Sequence, residues 1–269
     1  MRNVNSDSRI SMHMVDEARE TEGVSTTRKS FEILELLRDT DGATIAEIRG
    51  ATGLAKSTVY RHLKTLHDMK YVVDDDGEYR LSLNFLQLSE PPRIREKGYL
   101  VAKQKVVELA RETRERALFL VEERFDGVYV HRAGGRNPQH GDQMIGVRRP
   151  LHALASGKAI LAEWPDERVD EYVRETGLPR LTDTTITDRD ALFAELAEIR
   201  ERGFALNEGE HMEGLRAAGV PVYNERDDPI GAFSAFGPTG RVTDEDLETT
   251  YPRLLREKAQ ELKIDLTYD

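Results

Sequence analysis

Between Ala55 and His67 the sequence carries three cations and no carboxylate. The polar side chains of this segment are hydroxyl, phenol, ammonium and guanidinium groups, which in proteins contact phosphate oxygens and base edges: Lys56, Ser57, Thr58, Tyr60, Arg61 and Lys64. Arg61 is the candidate for bidentate contact with guanine, and Lys56 and Lys64 are candidates for phosphate contact. A helix that needs only solubility usually mixes charge signs on its exposed face. The segment therefore predicts a DNA-contacting surface.

The elements that must present this segment are a helix, a turn, a second helix and a hairpin between Thr44 and Leu83. Thr44 and Glu47 have the spacing of a capping box, which predicts the start of the first helix. Glycine is costly inside a helix and favourable in a turn, so the helix is predicted to break over Gly50–Gly53. The second helix is predicted from about Ala55 to Met69, with a buried stripe spaced i, i+4, i+7: Val59, Leu63 and Leu66.

A hairpin follows the second helix and supplies a wing. Apolar residues alternate with polar ones on both sides of an Asp76-Gly77 turn, a strong short-range hairpin signal: Tyr71, Val73, Tyr79, Leu81 and Leu83. Arg80 on this hairpin is predicted to reach the DNA backbone. An earlier helix, from about Thr26 to Arg38, is predicted to close the small core: Phe31, Ile33, Leu34, Leu36 and Leu37. This winged helix-turn-helix pattern places a helix in the major groove, although a solvated helix pair in an ordinary α/β domain would show similar residues.

The composition limits the class of protein. The chain has 269 residues and no cysteine, which excludes disulfides and thiolate zinc sites. It has no apolar run long enough to span a bilayer and no signal peptide, so we expect a cytoplasmic protein without membrane contact. Residues 1–22 are predicted to form a disordered tail.

The charge balance is unusual for a DNA-binding protein, which is more often basic. The net charge is −11, from 39 basic and 50 acidic residues, and arginine supplies 29 of the 39 cations. An acidic, lysine-poor composition is halophile-like and indicates adaptation to high internal salt, where counterion release contributes less to DNA affinity. A mildly acidic mesophilic protein is the alternative.

A change in composition marks a boundary between two domains. Ser89–Gly98 holds two prolines and several charges and predicts a linker, and a linker helix follows from about Tyr99 to Arg116. From Ala117 onward strands dominate, with a hairpin across Phe125-Asp126-Gly127 and helices at the sides, which predicts an α+β domain on a mixed or antiparallel sheet. The predicted divisions are a tail (1–22), a winged helix-turn-helix domain (23–88), the linker and linker helix (89–116) and a second domain (117–265).

Few segments of the second domain could carry chemistry. Within Arg148–Glu163 a small-residue turn leads into a helix, and Ser156–Lys158 could hold an anion by backbone N–H groups or form a tight packing turn; the P-loop spacing is absent. His152 beside Ser156 resembles a base and a nucleophile, but no orienting acid adjoins them in sequence. Asn207–Val222 could bind a divalent metal or form a polar loop before a buried strand: Glu208, Glu210, His211 and Glu213. We predict no catalytic residue, no metal site and no cofactor.

Four segments in order resemble the IclR family of transcriptional regulators. They are LAKSTVYRHLKTL, RRPLHALASGKAILA, GFALNEGEHMEGLRAAGVPV and GAFSAFGPTGRVT, which begin at Leu54, Arg148, Gly203 and Gly231. Each segment is modestly specific alone, and four in order at matching spacing are a strong match. The resemblance covers about residues 25–264.

The resemblance implies an α+β protein in which an N-terminal winged helix-turn-helix is joined by a linker helix to a GAF-like mixed α/β effector-binding domain. It implies dimers, and often tetramers, that bind palindromic operators in double-stranded DNA as repressors or activators. The effector is expected to be a small organic, sugar or aromatic acid, which sits on the concave side of the sheet.

Carried over by position, the effector site is expected to involve Ala155, Ser156, Asn207, Glu210, Ala217, Ser234 and Phe236. Three positions depart from the family's pattern: Ala217 stands where cysteine is frequent, Phe236 where a small hydroxyl residue is common, and Gly219 where alanine is usual. These departures favour a ligand with an apolar face, or a smaller ligand. Arg148 and Arg216 are the predicted partners of a ligand carboxylate.

Effector binding is expected to change operator affinity, in either direction, by thermodynamic coupling through the linker helix. Two other classes of function remain open. One is an enzyme on the sensor fold, which would need a convergent base and nucleophile. The other is an architectural or interaction module that uses the winged domain without reading sequence.

Overall fold

The computed structural model describes residues 23–134 and 145–268, and the chain forms two compact units, Met1–Glu90 and Pro91–Asp269. The predicted disordered tail, residues 1–22, lies outside the described residues. Helices and strands occur in both units, so the overall class is α+β, as predicted.

The first unit packs helices against a three-stranded antiparallel sheet of strand order β1-β3-β2. Its elements are α1 (Ser25–Thr40), β1 (Ala43–Thr44), α2 (Ile45–Thr52), α3 (Lys56–Asp68), β2 (Val72–Asp75) and β3 (Glu78–Leu81). The helix α4 (Phe85–Ile94) follows and spans the boundary between the units. The core draws on every helix from α1 to α3 and on the hairpin: Ile33, Leu37, Ile48, Val59, Leu63, Leu66 and Val72.

The two helices of the helix-turn-helix form largely as local chemistry predicts. The N–H of Glu47 donates to the Thr44 hydroxyl at 3.3 Å, and the N–H of Thr44 donates to the Glu47 carboxylate at 2.8 Å, which completes the capping box. The first helix ends within the predicted Gly50–Gly53 stretch: α2 includes Gly50, continues to Thr52 and ends at Gly53, whose φ of 70° is left-handed. The predicted apolar stripe of α3 is buried.

Some predicted core positions of the first unit are exposed. Phe31 is 59% exposed, because the buried face of α1 runs through Ile33 and Leu37 instead. On β2, Val73 is exposed and Val72 is buried, so the alternation along this strand is one residue out of the predicted phase. Leu83, which lies beyond the end of β3, is 82% exposed.

The hairpin turn itself forms as predicted. Asp75 pairs with Glu78, and the two residues between them, Asp76 and Gly77, have φ of 53° and 87°. Two positive φ values at the centre of a two-residue loop match a type I′ turn, whose twist suits a hairpin. The sequence pattern does not predict β1, which pairs with β3, because two residues show no periodicity.

Among its described residues, the second unit is a six-stranded sheet of order β6-β5-β4-β9-β8-β7 between layers of helix. Every pair of strands is antiparallel, so the sheet is antiparallel rather than mixed. Its elements are α5 (Lys97–Thr113), β4 (Arg116–Glu123), β5 (Asp126–Ala133), β6 (Arg148–Pro150), α6 (Ala155–Ala162), α7 (Asp166–Thr176), α8 (Arg189–Arg202), β7 (Ala205–Glu208), β8 (Leu215–Tyr223), β9 (Pro229–Pro238) and α9 (Tyr251–Tyr268). A 3-10 turn (Leu151–Ala153) precedes α6, and a π turn (Asp246–Thr250) precedes α9.

The two faces of this sheet bury separate cores. On the α5 and α9 side, the rings of Phe119 and Phe233 have centroids 5.3 Å apart. On the side of α6, α7 and α8, sheet and helix residues pack together: Leu118, Leu120, Ala232, Ile160, Tyr172 and Leu196. Because successive residues of a strand point to opposite faces, one strand can contribute side chains to both cores.

Two predicted loops of this region are corrected. The first part of the predicted linker Ser89–Gly98 is helical, since α4 includes Pro91 and Pro92 and ends two residues later at Ile94. The β4–β5 loop is Arg124–Phe125, because Asp126 already pairs with Glu123. Gly127 is a strand residue, and a Cβ there would lie 2.9 Å from Leu120, so close packing rather than a turn explains it.

Candidate functional site

The predicted DNA-contact residues of α3 lie on its solvent side. Thr58 is half-buried, and the other five are exposed on the side of the helix opposite the buried stripe: Lys56, Ser57, Tyr60, Arg61 and Lys64. Their spacing of three or four residues brings neighbouring members together on successive turns. The structure therefore joins the predicted cations and hydroxyl groups into one exposed surface.

The start of α3 leaves backbone donors available to an anion. Its N-cap residue, Ala55, makes no side-chain hydrogen bond to the first N–H groups, and the first turn has no acidic residue. Free N–H groups and the positive end of the helix dipole favour a phosphate oxygen at this position. Lys56, the first residue of the helix, adds a positive charge at the same end.

His62 is a residue of α3 that the sequence analysis does not single out. Its Nδ1 lies 2.8 Å from the Ser30 hydroxyl of α1, so the pair fixes α3 against α1. Burial, followed by the charges of Lys29 and Arg61, lowers the pKa of His62, which keeps the imidazole neutral near pH 7. No sequence pattern indicates this contact, because the two residues are far apart along the chain.

Arg80 does not lie on the wing as an unpaired cation. Its guanidinium donates to the Glu78 carboxylate at 3.1 Å. The tip of the wing is acidic, and the Asp74 carboxylate accepts the N–H of Gly77 at 2.8 Å within the turn. Contact between Arg80 and DNA stays a prediction, and α3 is the more favourable surface for phosphate.

The predicted effector residues of the sheet share the face toward α6. Ala217 on β8 pairs with both Asn207 on β7 and Phe236 on β9, so these three form one row across the sheet. Ser234 begins the next row and is buried, with its hydroxyl donating to the Ala218 carbonyl at 2.8 Å. Directly opposed residues on neighbouring strands point to the same side of a sheet, so the two rows form one continuous surface.

The N-terminus of α6 packs directly on this surface. A Cβ at Gly219 would lie 2.6 Å from the backbone carbonyl carbon of Ala155 and 2.6 Å from the backbone nitrogen of Ser156. Glycine at 219 therefore permits the close approach, and the departure from alanine has a steric explanation. Ala155 and Ser156 are both buried at this contact.

Asn207 and Glu210 belong to a buried charge network. Lys158, 1% exposed, donates to Glu210 at 2.8 Å and to Glu195 at 3.3 Å. Asn207 donates to the Ala153 carbonyl at 2.6 Å and to Glu210 at 3.3 Å, and Arg202 donates to Glu195 at 2.8 Å. Burial raises the pKa of Glu210, and the Lys158 charge opposes that rise. Arg202 also lies 3.8 Å from the exposed carboxylate of Glu198, so the two cations of this network face three carboxylates.

His152 is not placed to act as a base for Ser156. Its Nε2 lies 3.1 Å from the Pro179 carbonyl, which can only accept, so Nε2 carries the proton and Nδ1 accepts from the Tyr172 hydroxyl at 2.9 Å. Burial lowers the pKa of His152 and raises the pKa of Tyr172 to about 12, which keeps both groups neutral. Both ring nitrogens are thus engaged in packing α7 and the following loop against the 3-10 turn.

The other predicted roles near this site meet different outcomes. Arg148 is already paired with Glu123 and Asp126, and Arg216 lies 2.8 Å from Glu208 and 2.7 Å from Asp244, so neither is free for a ligand carboxylate. Within residues 23–134 and 145–268, no group of three His, Asp or Glu side chains is arranged to hold a metal ion.

Arg132 on β5 is not among the predicted effector residues, but its guanidinium lies 5.5 Å from the centre of the Phe236 ring. A surface cavity of about 310 Å³ lies elsewhere in the second unit, and none of the predicted effector residues lines it: Glu96, Lys97, Gly98, Asn224, Glu225, Arg226, Ile230 and Leu266. None of the described helices is both long and apolar enough to cross a membrane.

Family models match both units of the chain. The IclR helix-turn-helix domain matches residues 26–76, and the model of the bacterial transcriptional regulator IclR C-terminal domain matches residues 97–264, more than half of the chain. The chain belongs to the IclR family. Members of the IclR family bind DNA and small-molecule effectors, and this chain is a DNA-binding transcriptional regulator controlled by an effector.

Individual IclR relatives agree with this assignment. The HTH-type transcriptional regulator KdgR of Escherichia coli is 30% identical over 96% of this chain and 98% of its own length. The crystal structure of the Thermotoga maritima IclR has a TM-score of 0.77 and 27% identity, and it covers 91% of this chain and 99% of its own. The inducer-binding domain of PobR from Acinetobacter, solved as a double mutant with 3-hydroxybenzoic acid, has a TM-score of 0.56 and 30% identity over 61% of this chain and 96% of its own. The IclR family is one of regulators and not of enzymes.

Proposed function

We propose that this chain is a homodimeric regulator that reads a palindromic operator with α3 and responds to a small organic, sugar or aromatic acid bound in its second unit. The observation that carries the proposal is the exposed face of α3, where cations and hydroxyl groups occur without a carboxylate from Ala55 to His67. In a chain of net charge −11, a face of one sign is best explained by an anionic partner.

The residues of this face take different roles on DNA. Arg61 binds guanine, because its planar fork can donate two hydrogen bonds to one base edge. Lys56 and Lys64 bind phosphates on either side, and backbone N–H groups at the start of α3 add a further phosphate contact. Ser57, Thr58 and Tyr60 add hydroxyl contacts. Arg80 reaches the backbone only if it leaves Glu78, so the wing contributes less to affinity than α3 does.

A second copy of the chain is the partner that a palindromic operator requires. No residue of α4 is buried in the single chain, and three of its large apolar side chains are exposed: Leu86 63%, Leu88 58% and Ile94 48%. An apolar surface of this kind is typical of an interface. A two-fold dimer presents two copies of α3 to half-sites about one helical turn, or a multiple of it, apart. A tetramer would pair two such dimers.

The effector site is formed by α6 and the sheet surface beneath it: Ala155, Ser156, Asn207, Glu210, Ala217, Ser234 and Phe236. Phe236 and Ala217 supply an apolar wall, which suits an acid with a planar or short carbon skeleton. The 3-hydroxybenzoic acid bound by the related PobR domain supports an acid as the ligand class.

Ligand and operator affinities are coupled, so each changes the other by the same factor. The working divisions are residues 23–88 for DNA, 89–116 for the linker and linker helix, and 117–265 for the effector. The compartment is the cytoplasm, where the operator DNA lies.

Selection from a pool of random duplex DNA tests the proposal. The full-length chain should enrich a palindrome, and Arg61→Ala should bind the enriched sequence about fivefold to 150-fold more weakly, because a good bidentate contact is worth about 1–3 kcal/mol. Arg38→Ala is the matched control, since it removes the same charge from the end of α1, outside α3 and the wing. A module that does not read sequence would enrich no motif, and unequal half-sites would contradict the dimer.

A further inference from the structure

Three arginines on strands of the second unit's sheet lack an acidic partner among the described residues. Arg116, Arg132 and Arg149 are each half-buried, and within residues 23–134 and 145–268 no carboxylate forms an ion pair with any of them. Their neighbours differ, since Arg148 and Arg216 each pair with two carboxylates. Other described arginines of the second unit also lack an ion pair, but all of them except Arg93 on α4 are exposed. In a chain with 50 acidic residues, three half-buried guanidiniums without a carboxylate on one sheet need an explanation.

Arg132 lies on the same sheet surface as the predicted effector residues. It pairs with Leu118 on β4, Leu118 pairs with Ser234 on β9, and Ser234 pairs with Gly219 on β8, so these residues form one row that faces α6. In the adjacent row Arg116 pairs with Phe236, whose ring centre is 5.5 Å from the Arg132 guanidinium. The side chain that sequence reasoning misses therefore lies at the aromatic wall of the site.

Arg149 and Tyr129 bring further donors to this side of the sheet. Arg149 on β6 pairs with Gly127 of β5, and Tyr129 follows two residues later, so both point to the α6 face. Burial raises the pKa of the Tyr129 phenol, and the charges of Arg149 and Arg132 oppose that rise. The phenol is therefore a neutral donor that is close to both guanidiniums.

His211 also has an unused polar atom close to this cluster. Its Nδ1 is buried without a hydrogen-bond partner among the described residues. Burial, followed by the charge of Arg149, lowers the pKa of His211 to about 4, so the ring is neutral near pH 7. A buried ring nitrogen without a partner is costly unless a ligand or another donor or acceptor reaches it.

Two carboxylates at the site already have cations as partners. Glu210 and Glu195 are bound by Lys158 and Arg202. The desolvation cost of Arg132 is therefore not offset by these carboxylates, and a bound anion would offset it.

We propose that Arg132 binds the carboxylate of the effector, that Arg149 and the Tyr129 hydroxyl add charge and a hydrogen bond, and that the carbon skeleton lies against Phe236 and Ala217. The ligand class is a small carboxylic acid in its ionised form. This inference rests on the proposed function, because it names the group that recognises the effector within the same site.

The test uses the full-length chain and pairs of acids and their neutral amides: benzoate with benzamide, pyruvate with pyruvamide, and succinate with succinamide. Thermal unfolding screens the pairs, and calorimetry measures affinity for any acid that binds. At least one acid should raise the unfolding temperature of the unchanged protein, and its amide should not. Arg132→Gln should weaken that acid about tenfold to a hundredfold, because it removes a charge-assisted hydrogen bond. The affinity of Arg132→Lys for the acid should lie between those of the unchanged protein and Arg132→Gln, since lysine keeps the charge but not the bidentate geometry.

Arg253→Gln is the matched control, because it removes an exposed arginine from α9 on the other side of the sheet and should bind the acid as the unchanged protein does. Equal binding of acid and amide, or an unaltered affinity in Arg132→Gln, would overturn the inference. If no member of the panel binds, the unfolding temperatures of the two variants are compared without ligand. Arg132→Gln should then unfold at a higher temperature than Arg253→Gln, because an unpaired half-buried charge has been removed. A lower temperature would identify Arg132 as a structural residue and overturn the inference.

Operator binding is measured separately on the unchanged protein. An acid response that depends on Arg132, in a protein that binds no operator, would leave the inference standing and refute the DNA-reading role. If the protein binds an operator but its acid affinity is the same in Arg132→Gln, the DNA-reading role stands and the inference about Arg132 is refuted.

Discussion

Replacing Lys158 by methionine should destabilise the second unit strongly. Lys158 is almost fully buried and its ammonium lies 2.8 Å from Glu210. Methionine fills a similar volume but leaves the Glu210 charge without its cation, and breaking a buried pair in this way costs about 3–5 kcal/mol. In the variant, Glu195 still accepts a hydrogen bond from Arg202 at 2.8 Å, and Glu210 still accepts one from the Asn207 amide at 3.3 Å. We therefore expect a loss at the lower end of this range, about 3 kcal/mol.

The loss should appear as a lower unfolding temperature. For a unit of the length of Pro91–Asp269, 1 kcal/mol corresponds to about 2–4 °C, so the expected drop is about 6–12 °C. Lys158→Met combined with Glu210→Gln should recover most of it, because no charge is then left unpaired. Lys263→Met is the matched control, since it removes a more exposed lysine that pairs with Asp227 and should cost under about 1 kcal/mol.

The pH dependence gives an independent check on the same contact. Burial raises the pKa of Glu210 and Lys158 opposes the rise, so loss of Lys158 raises that pKa further. A carboxyl whose folded pKa is above its unfolded value stabilises most below the unfolded value, and this stability is lost as pH rises through the folded pKa. The difference in stability between Lys158→Met and the unchanged protein should therefore narrow as pH falls toward the ordinary pKa of a glutamate, about 4.3. Two results would refute the reasoning. One is a stability difference between Lys158→Met and the unchanged protein that does not change with pH, and the other is a decrease in unfolding temperature no larger than that of Lys263→Met.

Three further predictions concern stability. Gly50→Ala should raise the free energy of unfolding by about 0.5–1 kcal/mol, because Gly50 lies inside α2 with nothing within 4 Å of an added Cβ. Gly219→Ala should lower the free energy of unfolding, because the added Cβ meets the backbone of Ala155 and Ser156. Denaturant titration measures both changes, and equal effects of the two variants would contradict the packing of α6 on the sheet. The pKa of His211 is lowered to about 4, so the unfolded state takes up the proton first as pH falls. The free energy of unfolding should therefore fall by up to about 3 kcal/mol between about pH 6.5 and about pH 4. His211→Gln should reduce this dependence of stability on pH, and an unchanged dependence would exclude His211 as its source. The acidic, lysine-poor composition predicts that the unfolding temperature rises with KCl, and indifference to KCl would refute salt adaptation.

Features set by neighbouring residues could be predicted from the sequence. The capping box of Thr44 and Glu47, the buried stripe of α3 and the Asp76-Gly77 turn each depend on residues within one or two turns of chain. The β4–β5 and β8–β9 pairings also follow from alternating strands close together in sequence. The family motifs add the order of the domains, because the four segments match at their spacing and not only in composition.

Features set by distant residues could not be predicted. Arg148 and Arg216 are near the site motifs in sequence, but strand pairing brings each of them to carboxylates instead. Arg132 is far from those motifs in sequence, and only the β5–β4–β9 register carries it to Phe236. The buried network of Lys158 likewise joins a helix, a second helix and a loop, so no local pattern marks it.

The most direct test of the central claim is the affinity of the full-length chain for its selected operator and for a scrambled duplex, measured across a KCl series with Arg61→Ala and Arg38→Ala in parallel. We predict tight binding to the operator alone, retained at high salt, weakened at least about fivefold by Arg61→Ala and unchanged by Arg38→Ala. Equal affinity for both duplexes with a steep salt dependence, or operator binding that Arg61→Ala leaves intact, would contradict the account of α3 as the element that reads DNA.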